Sequence, residues 1–184
     1  MNKERNFFCL IFVIFLAITF NFSYTKELNK TIPNVKVKNL KGELVETKNF
    51  NNEGKPFVIN FWATWCKPCI MELNNIHEVY EKWQKETGIK IIAVSIDDVR
   101  SSKKVAPFVM GRNWKYEVYL DENGDFKRAL KVNNPPHSFL VNSKGEIVWE
   151  HNGYATGDEE ILYEQILKLI EEEKTNKANK EQQQ

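Results

Sequence analysis

The hydrophobic positions of this chain follow two different periods, and each period predicts a type of secondary structure. Residues 57–62 and 89–96 are nearly continuous apolar runs, the pattern of a strand that is buried on both faces. Between them, apolar residues recur every three or four positions from Pro68 to Glu86, which predicts an amphipathic helix. The apolar stripe of this helix consists of Ile70, Leu73, Ile76, Val79, Tyr80 and Trp83.

Shorter elements surround this strand–helix–strand unit. Alternating residues at 35–38 and 44–47 predict a hairpin before it. Strands that alternate with helices and close on an antiparallel hairpin imply an α/β domain, with a mixed central sheet flanked by helices. The other predicted elements are helices over residues 101–112, 126–130 and 159–170, a strand over 116–120, and a hairpin formed by 138–141 and 147–150. Pro107 predicts a kink or a break in the first of these helices.

Residues 1–23 have the pattern of a targeting segment. Lys3 and Arg5 precede an uncharged and nearly all apolar run from Phe7 to Phe20. As a helix this run would span ~21 Å, less than the ~30 Å of a bilayer core, which favours a signal peptide. The pattern around Ser23 is a weak cleavage site, so an uncleaved membrane anchor stays open as the alternative. Both predict export to the periplasm, with the protein either soluble or anchored to the membrane.

The other end of the chain is polar. From Glu171 to Gln184 the only hydrophobic residue is Ala178, which predicts a disordered polar tail over residues 173–184. The folded domain is therefore expected to cover residues 30–172.

Composition and charge exclude two classes of protein. Of the 184 residues, 42% are hydrophobic, which is enough for the core of one domain and excludes a wholly disordered chain. The 26 basic and 25 acidic residues nearly cancel, so the one-sided basic field of a nucleic-acid-binding protein is absent. Removal of the targeting segment would leave 24 residues of each sign.

The segment Trp65-Cys66-Lys67-Pro68-Cys69 lies between a predicted buried strand and the first turn of a predicted helix. In that context a C-x-x-C sequence is typical of a redox pair. A helix N-terminus stabilises the thiolate of Cys66 through its unpaired N–H groups and its dipole, and Lys67 adds positive charge. Pro68 suits the first helical turn. Thiol–disulfide exchange follows, with Cys69 resolving the mixed disulfide that Cys66 forms.

Other uses of the cysteines fit less well. A zinc site needs two more ligands, and the chain has only His77, His137 and His151 besides carboxylates. A purely structural disulfide would close too short a loop to constrain much of the chain. Cys9 belongs to the targeting segment, where it acts as an apolar residue.

The stretch from Phe61 to Cys69, with the sequence FWATWCKPC, resembles the signature of the thioredoxin fold. Residues 136–148 resemble the segment that follows the cis-proline of that family. More narrowly, the chain is similar to the TlpA/ResA-like exported thioredoxins, which include reductants of cytochrome c maturation. The resemblance implies a thioredoxin fold with an N-terminal β-hairpin and an inserted helix and strand between residues 95 and 136.

The same resemblance assigns expected roles to several residues. Pro136 should be the cis-proline that faces the cysteines, where an extended substrate segment pairs with the backbone. Pro135 before it has no N–H and can offer a substrate only its carbonyl. Trp65 is expected to form part of an apolar landing surface, beside Lys67 and Pro68. For Trp62 that role and a place in the core both stay open.

Glu72 is the third expected catalytic residue after Cys66 and Cys69. In many thioredoxins a buried aspartate at the position of Asn60 handles the proton of the buried cysteine, and asparagine cannot ionise. Glu72 lies three residues after Cys69 on nearly the same helical face, so this role is expected to move to it. A solvated helix glutamate is the alternative.

The sequence therefore predicts an exported thiol–disulfide oxidoreductase that reduces protein disulfides or cysteine pairs, with no cofactor. It is expected to act as a monomer that draws electrons from an integral membrane donor. A copper-binding metallochaperone that uses Cys66, Cys69 and His137 is the alternative from another class. His137 is otherwise expected to be an exposed loop histidine. Peroxidase action is disfavoured, because no third cysteine remains after processing.

Overall fold

A computed structural model describes residues 30–182 and contains one eight-stranded mixed sheet with helices on its faces. The strand order is β1-β8-β7-β4-β5-β6-β2-β3; β4, β5 and β6 are parallel, and the other pairs are antiparallel. The strands are β1 Lys30–Thr31, β2 Lys36–Asn39, β3 Leu44–Glu46, β4 Phe57–Trp62, β5 Lys90–Ser95, β6 Glu117–Leu120, β7 His137–Val141 and β8 Glu146–Asn152. The helices are α1 Lys67–Thr87, α2 Val105–Gly111, α3 Asp125–Ala129 and α4 Asp158–Glu181. This arrangement confirms the α/β thioredoxin fold, the N-terminal hairpin and the inserted elements.

Strand β4 lies in the middle of the sheet and is buried at all six positions. Its alternate side chains enter two separate cores, because successive residues of a strand point to opposite faces. Val58 and Trp62 join the core beneath α1 and α4, whereas Ile59 and Phe61 join the core on the opposite face. Burial on both faces explains the continuous apolar run of this strand.

Helix α1 follows β4 and carries the predicted apolar stripe. Leu73, Ile76, Tyr80 and Trp83 are buried on its inner face. The helix ends at Gly88, which adopts the left-handed conformation with φ of 69°, where glycine carries no Cβ penalty. Helix α4 packs beside α1, and the rings of Trp83 and Tyr163 stack at 4.8 Å between centroids. This contact secures the C-terminal part of α1, and the N-terminus of the helix follows the end of β4 after a loop of residues 63–66.

The predicted break in the helix of the insertion is present, but it lies before Pro107 and not at it. A short 3-10 turn at Ser102–Lys104 leads into α2, so the predicted helix 101–112 is divided in two. Pro107 lies in the first turn of α2, where its missing N–H has no helical partner to lose. Strand β6 then extends the sheet and pairs with β2 of the N-terminal hairpin.

Helix α4 continues past residue 172 into the stretch for which a disordered tail was predicted. Glutamate, lysine and alanine are good helix formers, and extending an existing helix avoids the unfavourable nucleation step. The predicted targeting segment, residues 1–23, lies outside the described residues. Within residues 30–182, no helix has the length and apolar character that crossing a membrane requires.

Candidate active site

The two cysteines lie where β4 passes into α1. Cys66 is the N-cap residue of the helix and Cys69 lies in its first turn. Their Cα atoms are 5.3 Å apart, and the two sulfurs form a disulfide. The backbone N–H of Cys69 donates a hydrogen bond to Cys66 Sγ at 3.3 Å. A thiolate at Cys66 would therefore receive a helix N–H directly, as predicted from its position.

The two sulfur-bearing residues differ in their access to solvent. Cys69 is fully buried, whereas Cys66 retains 5% exposure beside the strongly exposed Trp65. Lys67 and Pro68 are also exposed, so they form one continuous surface with Trp65 around Cys66. Only Cys66 can meet a protein substrate without rearrangement. Access to the pair is thus from the Trp65 side.

Trp62, in contrast, belongs to the core. It is completely buried, and its ring packs edge-on against Trp114 at 5.1 Å between centroids. Phe108 of α2 contacts the same ring system. Of the two places that the sequence left open for Trp62, the structure favours the interior.

The peptide bond between Pro135 and Pro136 is cis, as expected. Pro136 immediately precedes β7, whose His137 is the register partner of Phe61 in β4. The proline therefore lies alongside the end of the strand that leads to Cys66. Its carbonyl accepts the backbone N–H of Gly153 at 2.8 Å. Pro136 is buried, and Pro135 is half-buried.

Glu72 is a buried residue with only 4% exposure. Its Oε2 accepts a hydrogen bond from Asn60 Nδ2 at 2.9 Å, and its Oε1 accepts one from the Ser138 hydroxyl at 3.1 Å. Burial raises the pKa of Glu72 to about 7, because desolvation disfavours its charge more strongly than these two hydrogen bonds favour it. A carboxyl with that pKa can both take and release a proton near neutral pH.

His137 is not the exposed loop residue that was expected. It is the first residue of β7 and only 7% exposed, with its ring stacked on Phe139 at 4.4 Å between centroids. Burial lowers its pKa, and Asn152 Nδ2 lies 3.4 Å from its Nδ1. His137 pairs with both neighbouring strands and is thereby held inside the sheet. The two prolines before it indicated a loop, and the sequence pattern did not show this tertiary pairing.

The copper hypothesis required His137 to join the two cysteines. Within the described part of the chain, no three His, Cys, Asp or Glu side chains are grouped closely enough to hold a metal ion. The ligand set of the predicted metallochaperone is therefore not assembled there.

Asp97 is a buried residue that the sequence patterns did not single out. Its carboxylate accepts the backbone N–H of Thr64 at 2.8 Å, the Thr64 hydroxyl at 2.6 Å and the Ser95 hydroxyl at 2.8 Å. These bonds join the end of β5 to the loop that carries Trp65 and Cys66. The available signal was an acidic residue directly after a buried strand, where such residues often serve a site.

The fold and the site together define the class of the protein. A mixed sheet flanked by helices, a C-x-x-C disulfide at a helix N-terminus and a cis-proline beside it are the features of a thioredoxin-like thiol–disulfide oxidoreductase. Comparison with known sequences then gives the family. The chain belongs to the AhpC/TSA family, whose model matches residues 28–150.

Individual relatives agree with this class. The thiol-disulfide oxidoreductase ResA of Bacillus thuringiensis subsp. konkukian is 34% identical over 179 residues, which cover 92% of this chain and 99% of the relative. The thiol:disulfide interchange protein DsbE of Haemophilus influenzae is 34% identical over 86% of this chain and 91% of its own. The solution structure of a thioredoxin-like protein from Porphyromonas gingivalis is 48% identical, with a TM-score of 0.70 over 77% of this chain and 92% of its own. The resemblance to the ResA-like branch is confirmed.

Proposed function

We propose that this protein is an exported reductant of protein disulfides. Cys66 exchanges with the substrate, Cys69 resolves the mixed disulfide, and Glu72 handles the proton of Cys69. The observation that carries the reducing direction is the buried carboxyl of Glu72, one helical turn after the buried Cys69. A carboxylate at this place opposes a second negative charge, so it disfavours the Cys69 thiolate. Thiols that ionise less readily make the reduced pair a stronger electron donor.

The reaction begins with the reduced protein. The Cys66 thiolate attacks one sulfur of the substrate disulfide, the substrate S–S bond breaks, and the leaving thiolate takes a proton from solvent. Cys69 then passes its thiol proton to the Glu72 carboxylate and attacks Cys66 Sγ. The second substrate thiolate leaves and is protonated from solvent, and Glu72 releases the proton of Cys69 to solvent, so that its carboxylate is restored. Two electrons and two protons pass to the substrate in total, and the protein retains the Cys66–Cys69 disulfide.

The surface around Cys66 supports a protein substrate. The Trp65 side chain is 62% exposed and offers an apolar landing area beside Lys67 and Pro68. Within residues 30–182 no hydrogen bond occupies the Pro135 carbonyl. We propose that an extended substrate segment crosses this surface and donates an N–H to that carbonyl, with Pro136 supporting it from below.

The partners follow from the resemblance to exported thioredoxins. An integral membrane donor returns electrons to the pair, and apocytochrome c is a candidate substrate. The chain acts as a monomer, and residues 1–23 direct it out of the cytoplasm as a signal peptide or an anchor. Mass spectrometry of the N-terminus distinguishes a cleaved from an anchored chain.

The direction of the reaction is tested by the midpoint potential of the cysteine pair. We expect a value closer to the about −270 mV of thioredoxin than to the about −120 mV of strong oxidants. The Glu72→Gln variant should have a higher potential, because it removes the negative charge beside Cys69. A wild-type potential in the range of strong oxidants would overturn the assignment as a reductant. Failure of the reduced protein to reduce insulin or apocytochrome c would do the same.

A further inference from the structure

Three buried polar side chains meet beneath helix α1. Asn60 is fully buried in β4, Ser138 is 2% exposed in β7, and Glu72 reaches them from the helix with 4% exposure. Asn60 and Ser138 are directly opposed register partners on neighbouring strands. Their side chains are joined, because Asn60 Nδ2 donates to Ser138 Oγ at 2.8 Å. Each of the two also donates to a different oxygen of Glu72.

This triangle contains one unpartnered atom. Asn60 Oδ1 is buried and has no hydrogen-bond partner within the described residues. An unpaired buried carbonyl costs about 1–3 kcal/mol, so its presence in a packed core calls for an explanation. The position is notable because both hydrogens of the same amide are used.

We infer that Asn60 and Ser138 are positioning residues that hold Glu72 in both of its protonation states and keep its proton exchangeable near neutral pH. The inference rests on the proton-handling role proposed above for Glu72. Asn60 and Ser138 cannot ionise themselves, but their hydrogen bonds determine the pH at which the Glu72 carboxyl ionises.

In the ionised state the triangle supplies only donors to the carboxylate. Asn60 Nδ2–H and the Ser138 hydroxyl each point to one oxygen, so the charge is stabilised without a cation. Burial acts in the opposite direction, and the balance leaves the pKa of Glu72 at about 7. Without the two donors, the carboxyl would remain protonated at neutral pH and could not accept the Cys69 proton.

In the protonated state Glu72 has an O–H that needs an acceptor. A half-turn of the Asn60 amide about its last side-chain bond places Oδ1 where Nδ2 was, next to Glu72 Oε2. The O–H of Glu72 then donates to Oδ1, and the single hydrogen of the Ser138 hydroxyl turns from Oε1 to Oδ1, which now occupies the place of the Nδ2 donor. One amide atom is unpartnered in either state, Oδ1 before the turn and Nδ2 after it. The unpaired atom is therefore the consequence of serving both states.

The charged groups that face this triangle belong to other elements. Asp158 and Glu159, in the first turn of α4, raise the pKa of Glu72 through their negative charge. His151 lies 3.1 Å from Asp158 through its Nε2. The phenols of Tyr116 and Tyr154 also couple to Glu72, and burial raises the pKa of both, so they stay neutral. None of these groups contacts the Glu72 oxygens, which leaves Asn60 and Ser138 as their donors.

The test follows the Glu72 side-chain carboxyl by carbon-13 NMR through a pH series in the oxidised protein. The signal is identified by its loss in Glu72→Gln. Loss of one hydrogen bond to a carboxylate should raise the titration midpoint in Ser138→Ala by about one pH unit. Asn60→Leu, which also removes the donor that orients Ser138, should raise it at least as far. If Asn60→Leu does not fold, Ser138→Ala decides the question alone.

Ser102→Ala is the matched control. Ser102 is also a buried serine whose hydroxyl donates to a carboxylate, Glu122 Oε1 at 2.7 Å, but it lies in the insertion. Its substitution should leave the Glu72 midpoint unchanged. An unchanged midpoint in Ser138→Ala overturns the inference. Failure of the proposed function has a different signature: the midpoint moves as expected, but the potential and the Cys69 exchange rate of Glu72→Gln follow the wild-type pH dependence.

Discussion

At the scale of single residues, the site depends on polar side chains that are buried against their usual preference. Glu72 could be predicted from its spacing after Cys69, since one helical turn fixes its direction. Ser138 and Asp97 could not, because their burial arises from strands that are distant in sequence. The prediction of an exposed loop histidine at position 137 was wrong for the same reason, because the burial of His137 also arises from pairing with other strands. The local hydrophobic pattern predicts which face of a helix or strand is buried. The hydrogen-bond partners of a buried polar side chain depend on tertiary packing, which that pattern does not contain.

The raised pKa of Glu72 has a consequence for stability. It lies at about 7 in the folded protein against an ordinary value of 4.5, so the folded state binds more protons between these values. Stability that is present below about pH 4.5 is therefore lost as the pH rises to about 7, by about 3 kcal/mol from this group. Glutamine cannot ionise and does not lose this stability. The free energy of unfolding of Glu72→Gln should therefore rise by about 3 kcal/mol relative to that of wild type as the pH increases from about 4 to about 8. Urea unfolding of both oxidised proteins at the two pH values measures it, and an equal difference at both would contradict the burial of the charge.

Asp97 provides a second prediction at this scale. Asp97→Ala leaves the backbone N–H and hydroxyl of Thr64 without their acceptor, so we expect it to destabilise the fold by about 2 kcal/mol. The loop that carries Trp65 should also loosen, which lowers the fluorescence anisotropy of that tryptophan. Asp98→Ala is the control, because Asp98 is exposed and bonds only within its own turn. Equal stability of the two variants would show that Asp97 does not secure the loop.

At the scale of elements, the sequence was most informative where an element buries one continuous face. Strand β4 and helix α1 were predicted within one residue at each end, because their apolar patterns are long and regular. The insertion was less predictable, since Pro107 could end, bend or begin a helix depending on which turn it occupies. The C-terminal end of α4 was not predicted, because the last turns of this helix have no apolar stripe.

Helix α4 has a packed part and a last part, after Lys174, that rests on helix propensity alone; between them Glu173 still accepts the backbone N–H of Ser143 at 2.8 Å. Its buried residues are Leu162, Ile166 and Leu169, whereas nearly all positions after 170 are exposed. A chain that ends at Lys174 should keep its free energy of unfolding within about 0.5 kcal/mol, with a smaller helical signal in circular dichroism. Ile166→Ala in the full chain should cost about 2–5 kcal/mol. A truncated chain as unstable as Ile166→Ala would show that the end of α4 contributes to the domain.

At the scale of the whole molecule, the near-zero net charge of +1 leaves little long-range attraction for any partner. Partners must then be selected at the site itself. We expect the rate of exchange with a protein disulfide of low net charge to change less than about twofold between about 20 mM and 300 mM salt. Stopped-flow tryptophan fluorescence measures this rate. A steep fall with salt would reveal a local charged surface that the total charge conceals, and Lys67→Ala would show whether Lys67 contributes to it.

The different burial of the two cysteines also affects how long a client protein stays covalently bound. Because Cys69 is fully enclosed, the sulfur within its reach is that of Cys66, and it resolves only the mixed disulfide formed by its own chain. Release by this route is a step within one chain, so its rate does not depend on the concentration of the protein. The lifetime of the mixed disulfide is therefore set by the attack of Cys69 from the first turn of α1 and by the pKa of the client thiol, so clients with more acidic thiols are released sooner.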